Sequence, residues 1–183
     1  MERFLSPILS SLANSNDGYR CSPSVLGGAM ITLSPVLRES VPYCWLLEWE
    51  GLTLGVHRED GWYAQFGEQW VHFNAEYKCV HLWPLLELGH DEFFAFLSRA
   101  EELFPAYVPV IRDFPKLLLL QCAFRQSCPG YWPELAMNWL ERDIDLQPSL
   151  KVDLEALIVN KHMQQHLRHR ARRIVRRLLS IAA

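Results

Sequence analysis

The sequence predicts an α+β fold: a short N-terminal helix and an antiparallel β-meander over about 43–82, packed on a C-terminal bundle of about four helices over about 91–181. Two observations carry this. Between Tyr43 and Leu82 apolar residues alternate with polar ones, the period of a half-buried strand. Beyond Pro84 the apolar residues recur every three or four positions, the period of an amphipathic helix. Strands first and helices afterwards is the α+β signature.

Each element has its own justification. Phe4, Leu5, Ile8, Leu9 and Leu12 repeat with helical spacing and give the first short helix. A Ser-, Asn- and Pro-rich loop follows. SVLGGAMITLSPVL is short and broken by glycine, and fits a strand or a helix equally. YCWLLEWE places Tyr43, Trp45, Leu47 and Trp49 on one face of a strand, with Glu48 and Glu50 on the other. Gly51 turns the chain into LTLGVHR. Glu59-Asp60-Gly61 is a hairpin turn, because Asp-Gly tolerates the positive φ that tight hairpins need. WYAQF, a turn at Gly67-Glu68-Gln69, WVHF and then YKCVHL complete the expected meander, since Trp, Tyr, Phe and Val favour a pleated surface.

The helices follow in order. HDEFFAFLSRAEELF has Asp91 near its start and Pro105 after its end. AYVPVIRD reads as a connector. DFPKLLLLQCAFRQS opens with Asp113 as a cap and Pro115 in the first turn, where proline is tolerated. YWPELAMNWLERD buries Leu135, Met137, Trp139 and Leu140. Pro148-Ser149 begins a last long segment, Leu150–Ile181, with a break near Asn160. The whole reads as a single domain over 1–183, mainly β over 1–84 and helical over 85–183.

Composition sets limits. The chain has 183 residues, half of them hydrophobic and 21% charged, enough to bury a sizeable core. Five cysteines without a CxxC spacing fit neither a disulfide framework nor a zinc knuckle, and point to a reducing compartment. No apolar run is long enough to span a membrane. Glu2 offsets Arg3, and Pro7 interrupts a short apolar core, so the start is a poor signal peptide. A cytoplasmic protein with no membrane partner is expected. No glycine fingerprint follows a strand and no Walker-type loop occurs, so no nucleotide cofactor is expected.

Charge is unevenly spread. Residues 1–155 carry 11 Lys and Arg against 21 Asp and Glu, whereas residues 156–183 carry seven bases and no acid. In HMQQHLRHRARRIVRR, Met163, Leu167, Ala171, Ile174 and Leu178 form the apolar stripe of a helix. His162, His166, His169 and Arg173 share a second line, and Arg168, Arg172 and Arg176 extend the polar face. Two histidines at i and i+4 can chelate a metal, but their cationic neighbours would repel it, and no metal site is expected. Arginine over lysine favours shaped contacts with carboxylates or phosphates.

Enzyme-like pairs exist in the strands. Glu48 and Glu50 resemble an acid/base pair, Cys79 and His81 a nucleophile and base, and His57, Glu59 and Asp60 gather at a hairpin tip. Exposed turn positions explain the glutamates and the hairpin tip more simply, and no orienting third group is evident for Cys79 and His81. Trp45, Trp49, Trp62, Trp70 and Trp83 fall within 39 residues and fill the layer between sheet and helices, anchor a protein interface, or line a small-molecule cleft. The function expected is that of a non-catalytic protein-binding protein, such as a bacterial inhibitor, immunity-type protein or adaptor. Its partner-contacting residues would be Arg168, Arg172, Arg173, Arg176, Glu48, Glu50, Glu59, Asp60, Trp62 and Trp70. The alternatives are a nucleic-acid-associated protein using the Arg/His helix, and a small hydrolase built on the sheet.

Overall fold

A computed structural model of the chain describes residues 34–126 and 130–181. The expected N-terminal helix lies outside the described residues. The fold is α+β, with an antiparallel sheet followed by helices. The strands are β1 (Ser34–Ser40), β2 (Tyr43–Trp49), β3 (Leu52–His57), β4 (Gly61–Phe66) and β5 (Gln69–His72), and they lie in chain order across the sheet. The helices are α1 (His90–Leu103), α2 (Val108–Arg112), α3 (Lys116–Gln126), α4 (Tyr131–Arg142), α5 (Lys151–Val159) and α6 (Gln165–Ile181).

Tight turns fix the register. Glu50 and Gly51 both take positive φ (+46° and +78°) between Trp49 and Leu52, which pair directly. That is the two-residue hairpin geometry whose twist matches the strands. Gly61 (φ +95°) and Gly67 (φ +55°) serve the next two turns. β1 reaches β2 through a turn containing a cis Val41–Pro42 bond.

The alternation expected for β2 does not run through the strand. Trp45 pairs with Gly55, but Leu47 pairs with Leu54, so Leu46 is an extra residue, a β-bulge. The side-chain period of a strand is two. The bulge therefore moves Leu47 and Trp49 to the face opposite Tyr43 and Trp45. β1 carries its own irregularity between Pro35 and Arg38, where Leu37 has φ +43°.

One face of the sheet carries Cys44, Leu47, Trp49, Leu52, Leu54, Val56, Trp62 and Ala64, all buried in the core. Trp62 meets Phe114 edge-on at 5.0 Å, and its indole N–H donates to the Val110 carbonyl at 2.9 Å. The Tyr107 hydroxyl donates to the Tyr43 carbonyl at 3.4 Å. These contacts fix α2 against β3 and β4.

YKCVHL, expected as a fifth strand, belongs instead to a 3-10 helix, Glu76–Leu88. The reason is visible in the burial. Cys79, Leu82 and Leu85 are buried at a step of three, and side chains three apart eclipse in a 3-10 helix. The connector AYVPVIRD is helical too, as a 3-10 turn (Pro105–Tyr107) and then α2. Asp113, expected to cap the following helix, instead ends α2. α3 starts from Pro115, whose carbonyl accepts from Leu119 N–H.

The last segment breaks at Asn160, where the Asn160 side chain accepts from His162 N–H at 3.0 Å. α6 buries Leu167, Ala171, Ile174 and Val175 along one stripe, and Met163 just before it is buried too. Among the described residues no helix is long and apolar enough to cross a membrane.

Candidate binding surfaces

The outer face of the sheet is built from the residues that the bulge leaves pointing away from Cys44 and Trp62. Register places Tyr43 beside His57, and Trp45 in a row with Gly55, Tyr63 and His72. The next row holds Glu48, Thr53, Gln65 and Trp70. The rings gather. Tyr43 stacks on Trp45 at 5.5 Å with planes 10° apart, and Trp70 leans on both at 4.9 and 5.5 Å. Tyr63 stacks on His72 at 4.4 Å, and His57 stands edge-on to Tyr43 at 4.9 Å.

Depth differs across the cluster. Trp45 is 4% exposed and Trp70 46% exposed. Trp45 lies flat because Gly55 across the ladder has no side chain. Trp70 shields it from the β5 edge. Tyr43, Tyr63, His57 and His72 are half-buried. Burial raises the Tyr63 phenol above its ordinary range, and the Asp60 carboxylate adds to this. His57 Nδ1 accepts from Glu59 N–H (3.3 Å) and Asp60 N–H (3.1 Å). Asp60 Oδ2 also comes within 3.3 Å of His57 Nδ1, which closes the turn.

The expected sheet residues divide. Glu48, Glu59, Asp60 and Trp70 are exposed on this face or at the turn bounding it. Glu50 has left the strand for the turn, so it no longer shares a strand face with Glu48. Trp62, expected at the partner surface, is 3% exposed. Its cross-strand partner is Val56, which pairs in turn with Cys44, and that parity aims it at the helices. Tyr63 takes the outward position instead.

The basic helix also divides. Arg170 binds the Glu141 carboxylate through Nε (3.0 Å) and Nη2 (2.9 Å), and reaches Asn138 at 2.7 Å. Arg173 shares Glu141 at 2.9 Å, and Arg177 bonds to Gln147. His166 lies 3.5 Å from Glu134. Glu134, Asn138 and Glu141 follow one another at helical spacing on α4, so this flank of α6 is stitched to α4. The Arg170 hydrogen bonds hold the Glu141 carboxyl below the usual carboxylate range, with Arg173 adding to them.

Arg168, Arg172 and Arg176 occupy the other flank. No side-chain hydrogen bond or ion pair reaches them among the described residues, and Arg168 Nε is buried without a partner. His162 and His169 are exposed. Among the described residues no three His, Cys, Asp or Glu side chains are grouped to hold a metal ion.

Cys79 and His81 do not form a strand pair. The Cys79 thiol is fully buried against the Ala75 carbonyl (3.7 Å), and burial pushes it up to about 12. Such a thiol stays protonated and is a poor nucleophile at neutral pH. Burial also lowers the His81 imidazole below its usual range.

Sequence reasoning missed one place. Two clefts of about 360 and 540 Å³ share His90 and Arg142 where α1 meets α4. The His90 ring sits against Phe94 and Trp139, and its Nδ1 lies 2.9 Å from Asp91 Oδ1. That bond holds the Asp91 carboxyl below its ordinary range. No Ser, Thr or Cys lines either cleft among the described residues. The adjacent His-Asp pair opening an amphipathic helix was the only signal. Comparisons with protein-family models, with curated proteins and with solved structures give no significant match to this chain.

Proposed function

We propose that the chain is a non-catalytic binding protein of the inhibitor, immunity-type or adaptor kind, which docks a basic protein surface on the outer face of its sheet. The observation that carries this reading is the cluster of Tyr43, Trp45, His57, Tyr63, Trp70 and His72 on the face opposite the helices. Aromatic rings with little rotamer freedom are the usual anchors of protein interfaces. The setting is acidic. Residues 34–74 hold six Asp and Glu against two Arg. Glu48, Glu59, Asp60 and Glu68 stand exposed on or around the ring cluster. A partner arginine would find a ring to stack on and a carboxylate to pair with. Opposed charge also speeds encounter and selects the partner.

The test compares three proteins as bait in native lysate: wild type, Tyr63→Ala/Trp70→Ala, and Glu48→Lys/Glu68→Lys. The expected result is one protein retained by wild type in fixed ratio, lost from the aromatic variant, and released from wild type by rising salt. Retention unchanged in both variants would overturn the reading.

A further inference from the structure

The arginines of α6 serve two different purposes, and the division follows helix geometry. On one flank Arg170, Arg173 and Arg177 are engaged by Glu141 and Gln147. On the other, Arg168, Arg172 and Arg176 recur every four residues, and no side-chain partner meets them among the described residues. Among the described residues no acidic side chain is paired with this row.

We infer that the Arg168–Arg172–Arg176 row is a docking surface for the phosphate backbone of a nucleic acid. A four-residue step climbs about 6 Å along a helix, which is comparable to the spacing of successive phosphates on one strand. Guanidinium forks bind phosphate oxygens through paired hydrogen bonds. Exposed Lys161 extends the cationic surface, and residues 156–183 contain no acid to oppose an incoming anion. A lipid surface fits less well, because Leu179 is the one large exposed apolar side chain on the described part of α6 and interfacial helices insert a broad apolar face. The clamp on Glu141 matters here too. It holds the helix in place, so that binding need not order it. With phosphates alone contacted, recognition is independent of base sequence.

This inference does not rest on the sheet face. The decisive experiment is fluorescence anisotropy with a labelled random-sequence DNA duplex and its single strand, at several salt concentrations. Wild type is compared with Arg168→Gln/Arg172→Gln/Arg176→Gln and with a charge-matched control, Arg38→Gln/Arg58→Gln/Arg99→Gln. Circular dichroism confirms that each variant is folded, and the charge-reversing R172E/R176E protein provides a second test of the row. Wild type is expected to bind the duplex with a log–log salt slope of about −2.7, the value for three phosphate contacts. The row variant should lose at least tenfold in affinity, and the control less than threefold. Equal binding by wild type and the row variant would overturn the inference. So would row-dependent binding of vesicles rich in anionic lipid, or of a polyglutamate peptide, with no binding of either oligonucleotide.

Discussion

The Trp45 ring lies directly over Gly55. A Cβ built on Gly55 would stand 2.8 Å from Trp45 Cε3 and 2.3 Å from the Cys44 carbonyl oxygen. The glycine is therefore what lets the tryptophan lie down, and the flat tryptophan is the floor on which Tyr43 and Trp70 rest. Gly55→Ala should cost about 3 kcal/mol, the upper part of the range for overpacking, because one of the opposing atoms is backbone. Urea denaturation measures the loss. Trp45 should also become more accessible to acrylamide quenching in whatever folded protein remains.

Glu141 joins α4 to α6 by accepting from Arg170 and Arg173. Glu141→Gln should lower stability by about 1–2 kcal/mol at neutral pH, in line with charged hydrogen bonds at a partly buried site. The carboxyl is depressed in the folded state, so its contribution is present above the ordinary carboxylate range and disappears as pH falls through its lowered value. The stability gap between wild type and Glu141→Gln should stay constant from about pH 7 to 5 and close below about pH 4. Thermal unfolding across that range follows the gap, and a gap independent of pH would contradict the pairing.

Cys44, Cys79 and Cys122 are fully buried, and burial pushes each thiol up to about 12. Iodoacetamide at about pH 8 should leave all three unmodified in the native protein and label them in urea, as read by mass spectrometry. A raised thiol pKa stabilises the fold below the ordinary thiol range, and that contribution is lost as pH rises toward about 12. Alkaline unfolding should accordingly begin above the thiol value of about 9.

Asp153 is 5% exposed and is held by Arg125, which also binds Glu76 at 2.6 Å. Arg125→Ala would leave that carboxylate buried without its cation, at a cost of about 2–3 kcal/mol. This is below the full figure for buried pairs because the arginine itself is half-exposed. Asp153→Asn in the Arg125→Ala background should recover part of the loss. A double-mutant cycle on chemical denaturation gives both numbers.

Much of this architecture can be read from the chain, and the exceptions share a cause. The hairpins at Gly51, Gly61 and Gly67 announce themselves because positive φ selects glycine. The helices announce themselves because a long amphipathic period is hard to mistake. The buried positions Leu167, Ala171 and Ile174 were legible, since a straight helix preserves its period, whereas Val175 was missed and Leu178 is only partly buried. The β2 strand was not, because the bulge at Leu46 has no residue signature and a period of two cannot survive an inserted residue. Trp62 was assigned to the surface and Tyr63 overlooked for the related reason that only cross-strand pairing tells which of two adjacent aromatic residues faces outward. In the segment around Cys79 a few alternating residues outweighed the three-residue repeat of Cys79, Leu82 and Leu85. The two flanks of α6 could not be separated in advance, because the carboxylate that distinguishes them, Glu141, comes from a different helix.

The Leu46 bulge gives β2 something like a reading frame. Upstream of it the strand shows its rings to the outside, and downstream it gives them to the interior. Removing that single residue would set Trp45 directly before Leu47, opposite the adjacent Gly55 and Leu54, and the strand would pair regularly with Tyr43 and Trp45 still outside and Leu47 and Trp49 still inside. The bulge is thus the point where the chain absorbs one residue more than its partner strand without changing which side of the sheet its rings occupy.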